Sequence, residues 1–342
     1  MIFKRLGKNE IKKVNLLNDV GESNWNSEFF GKDIQPSYVA ICEENNVFAG
    51  CEGYIAYPLV YKGNLQLTHR SERTIVDGNF RGKGLFEKLI QTCDKWALKD
   101  DSAFSWGATA ALKAFKRAGF KSYVGFRSYI FFPIKSNVVR KAFSNPKLFN
   151  PSHLYSMYKK RNLKDVKNLL ASLSLVKPTT VEKNECIYFD PFDYTAIAQL
   201  LLEQDQDFFK INPCTSLFNW LEKKGLYYEK YLIRLRDEVI GYVVVEKNQN
   251  LNYASIKDIY FKSDDANMYQ ILLSLSKLKT FKKFHALFVA LNNENNTHAK
   301  WIQNLSASNV INLKKAGSFV IKPLKQQVSI KDLLLTDLWL EL

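Results

Sequence analysis

Apolar and polar positions alternate in short runs through the first third of the chain, and turn residues separate the runs. Tyr38 to Cys42 and Val47 to Ile55 have the period of two that predicts strands, joined across Glu43-Glu44-Asn45-Asn46. Leu59 to Tyr61 and Leu65 to Leu67 flank Lys62-Gly63-Asn64, a hairpin signal, and one more strand runs from Leu67 to Val76. The period then changes. Leu85, Leu89, Ile90, Cys93, Trp96 and Ala97 recur at helical spacing, so a helix over Leu85 to Leu98 turns one apolar stripe toward a sheet. Ala103 to Trp106 predicts a short strand. A second helix starts at Thr109 or Ala110 and stops at Ala118 before Gly119. Phe120 to Phe132 predicts two strand runs turning near Gly125, and Glu10 to Asn18 is the best helical stretch upstream.

The same succession returns later. Helices are predicted over Tyr194 to Gln204 and Phe218 to Lys223, a hairpin over Tyr231 to Leu235 and Val239 to Glu246, and a strand over Ala254 to Phe261. A helix over Ala266 to Leu278, a strand over His285 to Leu291 and a helix over Thr297 to Leu305 follow. Tyr38–Ile55 then corresponds to Tyr231–Glu246, Leu67–Val76 to Ala254–Phe261, and Phe104–Trp106 to His285–Leu291, the outline of an internal duplication without residue-level identity. Between the two series lies a Pro-punctuated basic stretch with an amphipathic run from Leu154 to Leu175. The expected organisation is a first domain over 1–135, a basic helical connector over 136–180, and a second domain over 181–342.

Composition narrows the class. At 46% hydrophobic and 14% aromatic, the 342 residues can fill two cores. No apolar run approaches the ~20 residues that span a bilayer, and the N-terminus lacks the apolar segment of a secretion signal, so a cytoplasmic protein is expected. The five cysteines are scattered, with no CxxC pair and no His at ligand spacing, which argues for reduced thiols and against a metal site. Cys93 on the helical stripe is core. The net charge of +15 is uneven: between Ser102 and Val181 stand fifteen Lys and Arg against one acid, Asp165. Such a zone faces a polyanion, a membrane surface or a phosphorylated small molecule, or it is a solvated face. The aromatics interleaved with it alternate as strand core, which argues against nucleic-acid stacking.

The junction between the last early strand and the first long helix carries the chemistry. Arg81-Gly82-Lys83-Gly84-Leu85-Phe86 follows Thr74-Ile75-Val76 and opens the helix. Glycines let the backbone approach an anion, while successive N–H groups and the helix N-terminus aim positive partial charge at it; Arg81 and Lys83 add full charges. The run lacks the first glycine of a dinucleotide fingerprint and the spacing and Lys-Ser/Thr ending of a Walker loop.

These residues resemble motif A of the GCN5-related N-acetyltransferases (GNAT superfamily), whose core is Gln/Arg-x-x-Gly-x-Gly/Ala. Ala111 to Phe120, ending Phe115-x-x-x-Gly119-Phe120, is similar to the family's later helix. The resemblance covers residues 1–135 and is topological beyond them. It implies an α/β (α+β) tandem GNAT-like fold, with two mixed, mostly antiparallel sheets flanked by helices and a degenerate second domain. It also implies acetyl-CoA as co-substrate. The pyrophosphate would rest on Arg81, Gly82, Lys83, Gly84, Leu85 and Phe86, and the pantetheine arm on Thr74, Ile75 and Val76 in a splay between parallel strands. Phe86 stands where the motif has Gly or Ala. Phe115, also assigned to the cofactor site, stands where the family often has the Tyr that protonates the leaving thiolate.

Acyl transfer to an amine needs a base, a donor to the thioester carbonyl and a proton for the leaving sulfur. The Val76 N–H is the expected carbonyl donor. Glu72 is the first candidate base, Asp77 the second and Glu52 on the neighbouring strand the third; the bland alternative for each is a carboxylate paired with Arg70 or Arg73. His69 on the same strand reads as structural. Trp25, Phe29 and Tyr54 are expected to line an acceptor pocket, with Phe30 and Tyr57 beside them. The basic connector suggests an amino sugar or nucleotide-linked amino sugar of surface-polysaccharide synthesis as acceptor. In the second half, Lys262-Ser263-Asp264-Asp265 replaces the glycine turn, so that half is expected to bind no CoA and to complete the acceptor cleft or a homodimer surface. Two other readings stand beside the enzyme: a non-catalytic CoA- or polyanion-binding protein, and a Fem-like aminoacyltransferase, which the basic zone suits and the well-kept cofactor turn opposes.

Overall fold

The computed structural model describes residues 1–15, 25–30, 36–123, 126–131, 187–203, 207–248, 253–262, 266–281, 284, 286–305, 310–314 and 318–341. The basic connector over 136–180 and the acidic turn Ser263-Asp264-Asp265 lie outside the described residues.

Two mixed sheets carry the molecule. The first runs edge to edge through Ile2–Arg5 (β1), Tyr38–Glu44 (β2), Val47–Tyr61 (β3), Asn64–Val76 (β4), Phe104–Ala108 (β5), Phe319–Pro323 (β15) and Lys121–Tyr123 (β6). Lys210–Ile211 (β9) adds to β3 beyond the end of β2. The second runs through Val310–Lys314 (β14), Phe126–Phe131 (β7), Ala286–Asn292 (β13), Tyr253–Phe261 (β12), Glu238–Asn248 (β11), Glu229–Leu235 (β10) and Ile187–Pro191 (β8). Neighbours are antiparallel except β4–β5 and β12–β13, which are parallel. The helices are Ile11–Asn15 (α1), Leu85–Lys99 (α2), Leu112–Arg117 (α3), Tyr194–Leu202 (α4), Thr215–Lys223 (α5), Met268–Lys277 (α6), Asn296–Leu305 (α7) and Asp337–Glu341 (α8).

The strand order of the two sheets is the same, and in each the strand next to the parallel pair comes from the other half of the sequence. β15 enters the first sheet between β5 and β6, while β7 enters the second between β13 and β14. The two β runs expected as a hairpin near Gly125 are therefore not paired with each other. β6 and β7 each find a more complete partner across the chain, and the sheets do not follow the division of the sequence at residue 135.

The early hairpins form where turn chemistry demands. Asn45 and Asn46 (φ +52° and +62°) and Lys62 and Gly63 (φ +47° and +66°) are two-residue turns with both central residues left-handed. β3 is longer than its pattern implies, running unbroken through Pro58. β2 ends opposite Tyr54, and β9 begins only at Leu59, so Pro58 lies between the two outer partners of the strand.

α2 lays Leu85, Leu89, Ile90, Cys93 and Ala97 on Tyr38, Ala40, Cys42, Ala49 and Tyr54, with Phe115, Phe120 and Val320 completing that core. The larger core covers the opposite face of the first sheet, where Trp106 meets Trp339 of α8 and Phe104 meets Phe209. No described helix is long and apolar enough to cross a membrane, and no metal-binding group occurs among the described residues.

Candidate acyl-CoA site

β4 and β5 pair at only two positions, His69 with Ser105 and Arg70 with Trp106. At Ser71 the strands are still adjacent, since a Cβ built on Gly107 would stand 3.4 Å from the Ser71 carbonyl oxygen. Beyond it no pairing of β4 with β5 is recorded, while β4 continues to Val76. Thr74, Ile75 and Val76, half-buried, continue β4 past this point, and the parting of the two parallel strands is the splay that the resemblance implies.

A bulge marks the start of the opening. Cys51 pairs with Ile75 and Gly53 with Glu72, leaving Arg73 and Thr74 opposite Glu52 alone; Arg73 takes φ +58° to accommodate the extra residue. Arg73 is held there by Glu28, which accepts from its Nε at 2.7 Å and its Nη2 at 2.5 Å. Lys224, at the end of α5, reaches the same carboxylate at 3.2 Å and lies over the Trp220 ring. Arg73 and Lys224 hold Glu28 below the ordinary carboxylate range although burial pushes the other way. The bulge of β4 is thus clamped through Glu28 by a residue from the second half.

The glycine turn follows a short helical turn at Gly78–Phe80, capped by Asp77, whose carboxylate accepts from the Asn79 N–H at 2.9 Å. Gly82 (φ +78°) and Gly84 (φ +69°) both occupy the left-handed region, and a Cβ at either would meet open space. The backbone conformation, and not crowding, requires glycine there. Gly84 is the N-cap of α2 and offers no side chain, so the first amides of α2 have no intrahelical acceptor and no cap. Arg81 is exposed, with Nε donating to the Val76 carbonyl at 3.1 Å, and exposed Lys83 lies over the Phe80 ring. Phe86 turns its ring edge-on to Phe115, so its bulk faces the core while the backbone stays at the turn. An exposed, positively charged cradle of uncapped amides suits a diphosphate.

The helix start in the corresponding place of the second sheet is capped differently. Asn267 caps α6 by accepting from the Gln270 N–H, and Gln270 Oε1 accepts from the Asn267 N–H in return. Those amides are already satisfied. Beside the bulge at Lys257, Asp258 is sealed in an ion pair with Lys210 at 2.9 Å, with Tyr242 and Thr336 donating to the same carboxylate.

The candidate side chains of β3 and β4 separate onto two faces of the first sheet. On the face of the larger core, Glu72 pairs with Arg70 at 2.7 Å and remains partly exposed; Arg70 in turn lies over Trp106. On the α2 face, Glu52 is fully buried and receives the Ser71 hydroxyl at 2.5 Å and the Thr74 hydroxyl. Burial pushes its carboxyl up to about 8. Asp77 stands at the helical turn, away from both. Trp25, Phe29 and Tyr54, expected on an acceptor wall, are packed inside: Phe29 fills the space over Gly53, and Tyr54 donates to Asp94 at 2.7 Å. Phe115 is likewise core, between Phe86 and Phe120. Sequence reasoning missed Asp94, which sits on the apolar stripe of α2 and joins Tyr54 to Lys322 of β15 at 2.6 Å. It also missed Glu28 and Lys224, whose partners are distant in the chain.

No family model matches the chain, and no curated protein matches it in sequence. In structure it is similar to a probable N-acyltransferase, a conserved protein of unknown function from Enterococcus faecalis: TM-score 0.59, 10% identity, 95% of this chain and 73% of that one. A GCN5-related N-acetyltransferase from Anabaena variabilis gives 0.56 at 11% identity, over 95% and 73% of the two chains. Another from Kribbella flavida gives 0.56 at 10% identity, over 94% and 71%. At such identities the likeness speaks for architecture, and with the splayed parallel strands and the glycine turn already described it gives one conclusion: the chain has the fold of the GCN5-related N-acetyltransferases, carried on two sheets.

Proposed function

We propose that the protein is an acyl-CoA-dependent N-acyltransferase that uses acetyl-CoA, with its one working cofactor site on the first sheet. The observation that carries the reading is the contrast between two equivalent helix starts: uncapped and glycine-turned at α2, capped from within at α6. Arg81 to Phe86 would hold the diphosphate, and Thr74 to Val76 the pantetheine arm. Bound there, acetyl-CoA supplies an activated acyl carbon. The Val76 N–H orients the carbonyl, and Glu72, carboxylate beside Arg70, takes the proton from the incoming amine directly or through a water. Asp77, occupied as a cap, remains the second choice for that base. The acceptor proposed is an amino sugar, free or nucleotide-linked. The excess of Lys and Arg between Ser102 and Val181 supports a phosphorylated acceptor by charge alone. The proposed roles of the parts are catalysis in the unit that begins the chain, and completion of the acceptor cleft by the unit that ends it.

Calorimetric titration with acetyl-CoA tests the reading. Wild type is expected to bind at micromolar levels, and Gly84→Glu, which adds a charge and a strained side chain at the cradle, to bind none while its thermal unfolding stays cooperative. Absence of binding by wild type removes the proposal. Binding without thiol release across a panel of amines and amino-sugar nucleotides favours the non-catalytic binder instead.

A further inference from the structure

The site as described lacks a proton for the sulfur. Phe115 has none to give, and it is enclosed by Phe86 and Phe120. Yet a carboxyl lies directly under the opening of the splay, on the α2 face that Phe115 shares, with two hydroxyls reaching it from the strand above. Ser71 touches it at the apex, where β4 and β5 are still adjacent; Thr74 touches it from the open arm, where β4 is half-exposed. We infer that Glu52 is the proton store for the leaving sulfur, and that the Thr74 hydroxyl delivers the proton. This rests on the acyltransferase reading above and deepens it.

Glu52 touches no substrate and is a positioning residue; its geometry explains how it serves. Nothing in its surroundings favours the charged form strongly. It is fully buried on β3, with no cation among the groups acting on it. The titratable groups around it are Glu72 on β4, Asp94 and Cys93 on α2, and Cys51 and Tyr54 on its own strand. The two carboxylates push its proton affinity further up, and only the two hydroxyls oppose them. Protonated, it donates to one hydroxyl, and Thr74 then turns its own hydrogen toward the open arm. Two carboxyls on opposite faces of one sheet, on the paired strands β3 and β4, thereby divide the work: Glu72 paired with a cation to accept, Glu52 without a cation to give.

The protons balance. As the acyl carbon–sulfur bond breaks and the acyl carbon–nitrogen bond forms, Thr74 passes its hydrogen to the sulfur and takes the one on Glu52. The nitrogen sheds its proton to Glu72, whose partly exposed carboxyl releases it to solvent, and solvent returns one proton to Glu52 through the Thr74 hydroxyl. No oxidant or reductant enters.

Three measurements on the full chain decide the matter. Infrared titration of the unliganded protein should show a protonated-carboxyl band that fades through pH about 8 and is missing from Glu52→Gln. With acetyl-CoA and an amine that wild type accepts, kcat should fall as pH rises through that range. In Glu52→Gln kcat should drop about 100-fold, with KM for acetyl-CoA within about twofold and the alkaline fall abolished. Thr74→Val should lose kcat similarly while keeping the infrared band, and it carries the test should Glu52→Gln fail to fold. A variant at either position with wild-type kcat and an unchanged alkaline limb overturns the inference and leaves the acyltransferase reading standing. A wild type that shows the infrared band but binds no acetyl-CoA by calorimetry overturns that reading and the role with it.

Discussion

At the scale of single residues, buried titratable groups set the pH behaviour. His69 is enclosed on β4, with Nε2 at 2.9 Å from the Pro36 carbonyl and Nδ1 at 3.0 Å from the Ser102 hydroxyl. A carbonyl can only accept, so Nε2 carries a hydrogen, and burial favours the neutral ring, in which Nδ1 accepts from the Ser102 hydroxyl. Burial lowers its pKa from 6.5 to about 4. A base whose folded pKa is depressed stabilises the fold above its unfolded value and loses that contribution as pH falls from 6.5 toward 4, worth roughly 3 kcal/mol in full. Denaturant midpoints measured across that window should drop in wild type and flatten in His69→Gln, which keeps a donor for Pro36. Glu52 runs opposite: raised in the fold, it costs stability as pH climbs from 4.5 to about 8, so Glu52→Gln should gain relative stability over that range. Ser71→Ala removes one of the two hydroxyls holding its proton affinity down, and should move the alkaline limb of kcat upward. Glu28→Gln breaks a buried carboxylate from two cations that are a quarter exposed or less, and should cost about 2 kcal/mol by equilibrium denaturation. His69, Glu28 and Lys224 owe their roles to partners far away in sequence, and no local pattern announces them.

Elements were legible where a period ran long enough and was bounded by turn residues. The strands from Tyr38 to Val76, the stripe of α2 and the α6 helix all follow their patterns. The glycine turn was legible from order, strand, glycines, helix, whereas the splay was expected only from the family resemblance of the two motifs. Five-residue strands without a local partner did not stand out, and β14 and β15 went unrecognised because their pairing residues lie near positions 105 to 131. Glu52 was visible as a third candidate, but its setting depends on the bulge at Arg73, which adds one residue to β4 and brings Thr74 onto it. The two helix starts differ in kind, which gives an element-scale test. Asn267→Ala should cost about 1 kcal/mol in chemical denaturation, the value of a lost cap, without altering acetyl-CoA affinity. Substitution at Gly82 or Gly84 should lower acetyl-CoA affinity, with an added stability cost of about 1 kcal/mol for the left-handed backbone.

Over the whole molecule, the exchange of β7 and β15 makes the two halves mutually dependent. Residues 1–180 expressed alone lack the strand between β5 and β6, and residues 181–342 lack the one between β13 and β14. Each fragment is expected to be poorly soluble alone, the two to become soluble on co-expression, and the intact chain to unfold in one transition by two spectroscopic probes. The buried Lys210–Asp258 pair joins the strand that extends the first sheet to the second sheet, and Asp258→Asn should lower stability by about 3 kcal/mol because it strands a buried ammonium. A temporal consequence follows from the same exchange. The first sheet is finished by a strand at residues 319–323, whereas its preceding neighbour ends at Ala108. At ribosomal speeds of ~5–20 residues per second, the glycine turn and its helix wait roughly 10–40 s for the last strand to emerge. The nascent chain therefore holds an open edge at β5 until residues 319–323 have been made.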